Sequence, residues 1–177
     1  MPPLRFALGR TFSTPHSDRG AAPVAAVDLV AVSMARADHR EAVVTLATQC
    51  RSEDPAGHFN PHGLLAELTG RPARLVHAWL AWPAATATIA ATGSDADTGP
   101  LGLVALVTAG VMPKQRFSIA WLLVHPAARR RGIATALVNH AVAHAESFGA
   151  TEISAETLPS WPAAVGFWRS FSRQQEG

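Results

Sequence analysis

Between Leu122 and Thr135 the chain reads Leu-Leu-Val-His-Pro-Ala-Ala-Arg-Arg-Arg-Gly-Ile-Ala-Thr. An apolar run stops at Pro126, which has no N–H to give to a sheet ladder. Three consecutive arginines follow, and Gly132 then opens a stretch of helical periodicity over residues 133–148. Ile133, Leu137, Ala141 and Ala145 share one side of that helix, with Val138 and Val142 adjoining. A buried strand, a cationic turn and a glycine-led helix in this order favour an anion at the turn. The first N–H groups of a helix have no internal partner, and the macrodipole adds partial positive charge there. A pyrophosphate can accept those N–H bonds directly. Gly132 has no Cβ to hold phosphate oxygens away. Arg129, Arg130 and Arg131 can add charge-assisted bonds. The plainer alternative, a solvated charge run, does not explain why the triplet sits between a strand and a glycine-led helix.

The rest of the chain places this turn in a mixed α/β layer fold. Residues 27–34 read as a strand. A helix starts at Asp38, where Asp38-x-x-Glu41 has the form of a capping box, and continues through Val43, Leu46, Ala47 and Cys50. Asn60 and Pro61 open a second helix, with Leu64, Leu65 and Leu68 on one side and Gly70 as its C-cap. Residues 75–82 read as a strand ended by Pro83, and residues 86–91 as another strand or a continuation of the same hairpin. Residues 101–109 and 117–124 are strands apolar on both faces, as befits central strands covered by helices. Residues 152–156 form a further strand and residues 163–171 a last helix. The middle hairpins argue against a uniformly parallel sheet. The expectation is a mostly antiparallel central sheet with helices on both faces, in one domain spanning residues 27–177, preceded by a disordered tail over residues 1–26. That tail carries several Arg and Ser residues but no secretory apolar region.

Composition excludes several classes. With 177 residues, 48% of them apolar and 16% charged, the chain is a folding sequence with one core. A net charge of +2 is a poor nucleic-acid footprint. No apolar run is long enough to span a membrane. Cys50 is the single cysteine, so no internal disulfide forms and a reducing, cytoplasmic compartment is expected. His140 and His144 are four apart on the long helix, but no third ligand is placed to complete a metal site. Trp79, Trp82 and Trp121 read as core or as pocket walls.

The turn fits the pattern Arg/Gln-x-x-Gly-x-Gly/Ala through Arg129, Gly132 and Ala134, preceded by Val-x-Pro at Val124 and Pro126. On these residues, with a strand before them and a long helix and a strand after, the chain resembles the GNAT superfamily of N-acetyltransferases. The resemblance covers roughly residues 27–171 and is specific from Phe117 onward. It implies an acyl-CoA N-acyltransferase fold in which acetyl-CoA lies in a cleft between two splayed strands, residues 117–124 and 152–156. Leu122, Leu123 and Val124 would then bond the pantetheine arm through their backbone. Arg129 and the backbone of Arg130, Arg131, Gly132, Ile133, Ala134 and Thr135 would hold the pyrophosphate.

The family's last motif, Asn-x-x-Ala-x-x-x-Tyr-x-x-x-Gly-Phe, is met only at Ala164. Trp161 stands at the Asn, Trp168 at the Tyr, and Ser172 and Arg173 at the Gly-Phe pair. The resemblance makes Trp161 and Trp168 cofactor contacts. It also removes the usual acid for the leaving thiolate, because an indole N–H donates a hydrogen bond but no proton near neutral pH. Few residues follow the last helix, so a C-terminally short fold is expected, its cleft more open or completed by a partner. Glu152 and Glu156 are the candidate catalytic bases beside the cleft, with Glu67 and His125 as further candidates; the plainer role for each is a solvated or capping side chain.

The function this implies is transfer of an acetyl group from acetyl-CoA to a primary amine by direct attack. The acceptor is an unidentified small molecule, peptide or protein, with no metal, no nucleic acid and no membrane involved. Oligomeric state is open, a homodimer included. The rival is a non-catalytic acyl-CoA-binding module acting as a sensor or a partner-dependent subunit.

Overall fold

The computed structural model describes residues 2–8, 26–51, 60–69, 76–84, 99–108 and 116–175. Among them lie β1 (Leu4–Leu8), β2 (Val27–Ala31), α1 (Ala37–Arg51), α2 (Pro61–Leu68), β3 (Val76–Pro83), β4 (Gly102–Thr108), β5 (Arg116–Val124), a 3-10 turn at Pro126–Ala128, α3 (Ile133–Ser147), β6 (Glu152–Thr157) and α4 (Pro162–Gln175). The strands form one sheet in the order β1-β6-β5-β4-β3-β2. Only β5 and β6 run parallel; every other pair is antiparallel. This is the mixed, mostly antiparallel sheet with helices on both faces that the sequence predicts. The strand expected at residues 86–91 and the C-cap at Gly70 lie outside the described residues.

The sheet is apolar on both faces because both are covered. Val104 and Leu106 of β4 pack toward α3, in a core with Ile133, Leu137, Val138 and Ala141. Leu103 and Ala105 face the other way, against Val43, Leu46 and Ala47 of α1 and Leu64 of α2. All four β4 residues are 0% exposed, which makes β4 the spine of both cores. At Gly102, an added Cβ would meet Leu137 Cδ1 at 2.8 Å and the Leu123 carbonyl oxygen at 2.9 Å. The start of α3 therefore presses directly on the β4 backbone, and this fixes where the helix begins.

Two expectations are corrected. The capping box at Asp38 gives way to a helix that begins one residue earlier, at Ala37. Asp38 stands in its first turn and is held by Arg36 through bonds of 2.6 and 3.1 Å. That hydrogen bond lowers the Asp38 carboxyl to about 2. The tail expected over residues 1–26 contains β1, which pairs along its whole length with β6. Leu4, Phe6 and Leu8 turn to the core and Arg5 and Ala7 to solvent, a period of two that makes a half-buried strand. Leu8 is 2% exposed, and the Phe6 ring stacks on Trp168 with centroids 6.4 Å apart. The flank of β6 away from β5 is thus covered by β1.

At the far end of α3 an aromatic cluster joins it to β3. The His77 and His144 rings lie 4.5 Å apart, and Trp79 sits edge-on to both His140, at 5.0 Å, and His144, at 4.7 Å. Burial, and then the neighbouring His144, push His77 and His140 below their ordinary value of 6.5. The fold thus favours the neutral imidazoles, and the unfolded chain binds protons more readily. This stabilising contribution is present above pH 6.5 and is lost as pH falls below it. The midpoint of thermal unfolding, followed by circular dichroism, should drop between about pH 7.5 and 5, and the drop should be shallower in the double variant His77→Gln, His140→Gln. Separately, Phe6→Ala should cost about 2 kcal/mol in urea unfolding, less than a fully buried Phe because Phe6 is only half-buried.

Candidate active site at the splayed strands

The parallel ladder between β5 and β6 runs from Arg116 opposite Glu152 to Ile119 opposite Ala155, and there it stops. The cause lies on the other side of β5. Leu106 of β4 pairs with Ile119 and Ala105 with Trp121, so Ala120 is an extra residue, a β-bulge. A bulge bends its strand and raises the local twist. It also shifts the side-chain alternation. Phe117 and Ile119 face α3, and beyond the bulge Leu122 and Val124 do so, while Trp121 and Leu123 face α1 and α2. From Ala120 to Val124, β5 has no ladder with β6. Leu122, Leu123 and Val124 are accordingly only half-buried, although they lie on a central strand with helices over both faces. The result is a V, closed at Arg116 and Glu152 and open at Val124 and Thr157.

The cationic turn stands at the open end. The Val124 carbonyl accepts from Arg129 Nε at 3.3 Å and from the Cys50 thiol at 3.6 Å. His125 Nδ1 accepts the Ala127 N–H at 3.2 Å, capping the 3-10 turn, so this candidate base has a structural role. Arg130 and Gly132 both take left-handed backbone conformations, with φ of 63° and 79°. For a residue with a Cβ that conformation costs about 1–2 kcal/mol, which explains a glycine at position 132. Gly132 caps α3 with no side-chain bond, so the first N–H groups of α3 are left for a ligand. Arg130 and Arg131 are exposed beside them. The arrangement suits an extended, amide-bearing chain along β5 that ends in a diphosphate at α3.

Not every predicted site residue comes to this cleft. Glu152 lies at the closed end of the V, where Arg116 Nε approaches it at 3.1 Å and Arg5 at 3.3 Å. Glu156 pairs with Arg5 at 3.9 Å, with both side chains more than half exposed. Both carboxylates thus belong to an ion-pair ladder across β1, β6 and β5. Trp168 is 4% exposed and packs on Phe6, Phe167 and Phe171 in the core. Trp161 is half-buried just before α4. Glu67, from α2, instead reaches the bulge: it accepts the Trp121 indole N–H. The bulge itself left no mark in the sequence, since Ala120 is one apolar residue in an apolar run.

The acetyltransferase (GNAT) family matches residues 36–172. The chain belongs to that family. No curated protein matches it. Among solved structures it is similar to a tandem GNAT protein from the clavulanic acid biosynthesis pathway, with a TM-score of 0.61 and 22% identity, over 85% of this chain and 43% of that one. This GNAT chain therefore spans less than half the length of that protein. It is also similar to a putative GNAT acetyltransferase from Desulfovibrio desulfuricans (TM-score 0.57, 17% identity, 82% and 83% of the two chains). A third is AAC(6')-Iy in complex with a bisubstrate analogue of CoA and acetylneamine (TM-score 0.55, 14% identity, 82% and 89%). At these identities the likeness is one of fold.

Deleting Ala120 should remove the bulge and leave every other β5 side chain on its present face. The ladder to β6 can then extend past Ile119. Hydrogen exchange should slow at Leu122, Leu123 and Val124 while the protein stays folded.

Proposed function

We propose that this GNAT protein is an N-acetyltransferase that moves the acetyl group of acetyl-CoA onto a primary amine. The observation that carries the reading is the stretch of β5 from Ala120 to Val124 that has no ladder with β6 and runs straight into a start of α3 with no side-chain cap. The pantetheine amides take the ladder positions that β6 leaves. The diphosphate sits on the N–H groups from Arg130 to Thr135, with Arg129, Arg130 and Arg131 supplying charge, and Trp161 flanks the mouth. The acyl end then lies toward the fork at Ala120. A neutral amine adds to the thioester carbonyl carbon, and a backbone N–H of β5 bonds the developing oxyanion. The C–S bond breaks, and the thiolate takes up, through water, the proton that the nitrogen gives up. No step needs a metal. The cytoplasm is the compartment we assign to it.

Holding both reactants in line is the main contribution of such a site. Trp168 cannot supply a proton and is packed in the core, so proton delivery falls to water or to the substrates. The same residue favours a second reading, an acyl-CoA-binding module without turnover.

Calorimetry on the wild type and on Gly132→Glu tests the donor site. The variant puts a negative side chain at a left-handed position facing the diphosphate. Acetyl-CoA should bind the wild type, and the variant should lose at least about 100-fold in affinity, roughly 2.7 kcal/mol. Failure of the folded wild type to bind would reject the reading. Release of free CoA thiol with an amine panel then separates enzyme from binding module.

A further inference from the structure

The fork of the V has a side that the donor does not use. Trp121 is the first β5 residue beyond the bulge, and its ring turns away from α3 toward α1 and α2. Its indole N–H is bound by Glu67 Oε2. Glu67 is exposed and lies in the last turn of α2, which ends at Leu68. A negative charge there is disfavoured by the helix macrodipole, so the fold gains little from its being an acid. A glutamine's carbonyl oxygen could accept the same indole N–H and keep α2 pinned to Trp121. On the same side of the sheet, Glu152 and Glu156 are engaged by Arg116 and Arg5. Among the described residues Glu67 is the acid at the Trp121 side of the fork, and Trp121 takes one of the roughly four acceptor positions of its carboxylate.

From this we infer that Glu67, backed by Trp121, is an acceptor subsite for a positive charge, and that the acceptor carries two or more amino groups. The inference rests on the acetyl-transfer reading above. A carboxylate beside an ammonium keeps it protonated, and a protonated nitrogen has no lone pair with which to attack. The cation held by Glu67 is therefore not the reacting nitrogen. The Glu67 carboxylate lies an indole's length from the β5 backbone at Trp121. An ammonium placed against that carboxylate gains charge-assisted hydrogen bonding. One amine is anchored at Glu67 while a second, neutral one reaches the thioester at the fork.

The test compares acceptors that differ in one ammonium group. Thiol release from acetyl-CoA is followed with cadaverine, spermidine and sisomicin as polycations and with pentylamine as the monocation, on the wild type and on Glu67→Gln. The wild type should favour cadaverine over pentylamine by at least about tenfold in kcat/KM, carried by KM. Glu67→Gln should erase that preference while leaving acetyl-CoA affinity and the unfolding midpoint unchanged. A merely structural pin would be preserved in Glu67→Gln, so an unchanged preference in that variant would sink the proposal. So would a wild type that binds acetyl-CoA but acetylates none of the polycations, or that treats cadaverine and pentylamine alike. Failure of the acetyl-transfer reading shows itself separately, as absence of acetyl-CoA binding to the wild type.

Discussion

One inserted residue governs the site. Ala120 has no partner on β4, and from that point β5 leaves β6. Elsewhere in this sheet the polar backbone groups of a central strand are paired, because leaving them dry and unpaired costs about as much as a lost hydrogen bond. A central strand that loses its neighbour at mid-length needs water or a ligand to complete it. A ligand built as an extended chain with amide groups does so at low entropic cost, since the strand is already rigid. The cleft is therefore a gap in an otherwise continuous sheet, not a depression between loops.

The gap is useful only because its mouth is fixed. From Gly102 to Leu106 β4 is buried between two helical layers, and α3 lies against it closely enough that Gly102 admits no side chain. Ile133 and Leu137, 1% and 0% exposed, hold the first turns of α3 in that position. The left-handed strain at Arg130 persists because both ends of the turn are tied down. Arg129 is bonded back to the end of β5, and α3 is packed on β4. The cationic turn thus inherits its geometry from the core.

The turn, β4, β5 and α3 were legible in the sequence because strong local signals agree there. Pro126 ends a strand, Gly132 starts a helix, and the apolar spacing switches from strand to helix between them. α2 was legible for the same reason, and Asn60 does cap it, accepting the His62 N–H at 3.0 Å. β1 was missed because five residues behind a proline carry too little pattern to stand alone, and its stability comes from β6 and α4. Glu152 and Glu156 are candidates because the strand that bears them flanks the cleft. Their side chains lie where Arg5 and Arg116 meet them, and Arg5 belongs to the strand that pattern could not supply. Trp168 aligns with a tyrosine of the family, but Phe6 from that same β1 draws its ring into the core.

The bulge also explains why the site has two chemically different halves. Before Ala120 the odd-numbered residues of β5 face α3; after it the even-numbered ones do. Leu122 and Val124 are thereby delivered to the α3 side, where the cationic turn begins, and Trp121 to the α2 side, where Glu67 waits. A regular strand could lie along β6 for its whole length and keep the same side chains on both faces, but it would leave no room between the strands. With one extra alanine the strand keeps its packing on both cores and gives up only its hydrogen bonds to β6. Basic groups then line one end of the opening, and an acid stands at the other. That polarity suits a reaction joining an anionic acyl donor to a cationic acceptor.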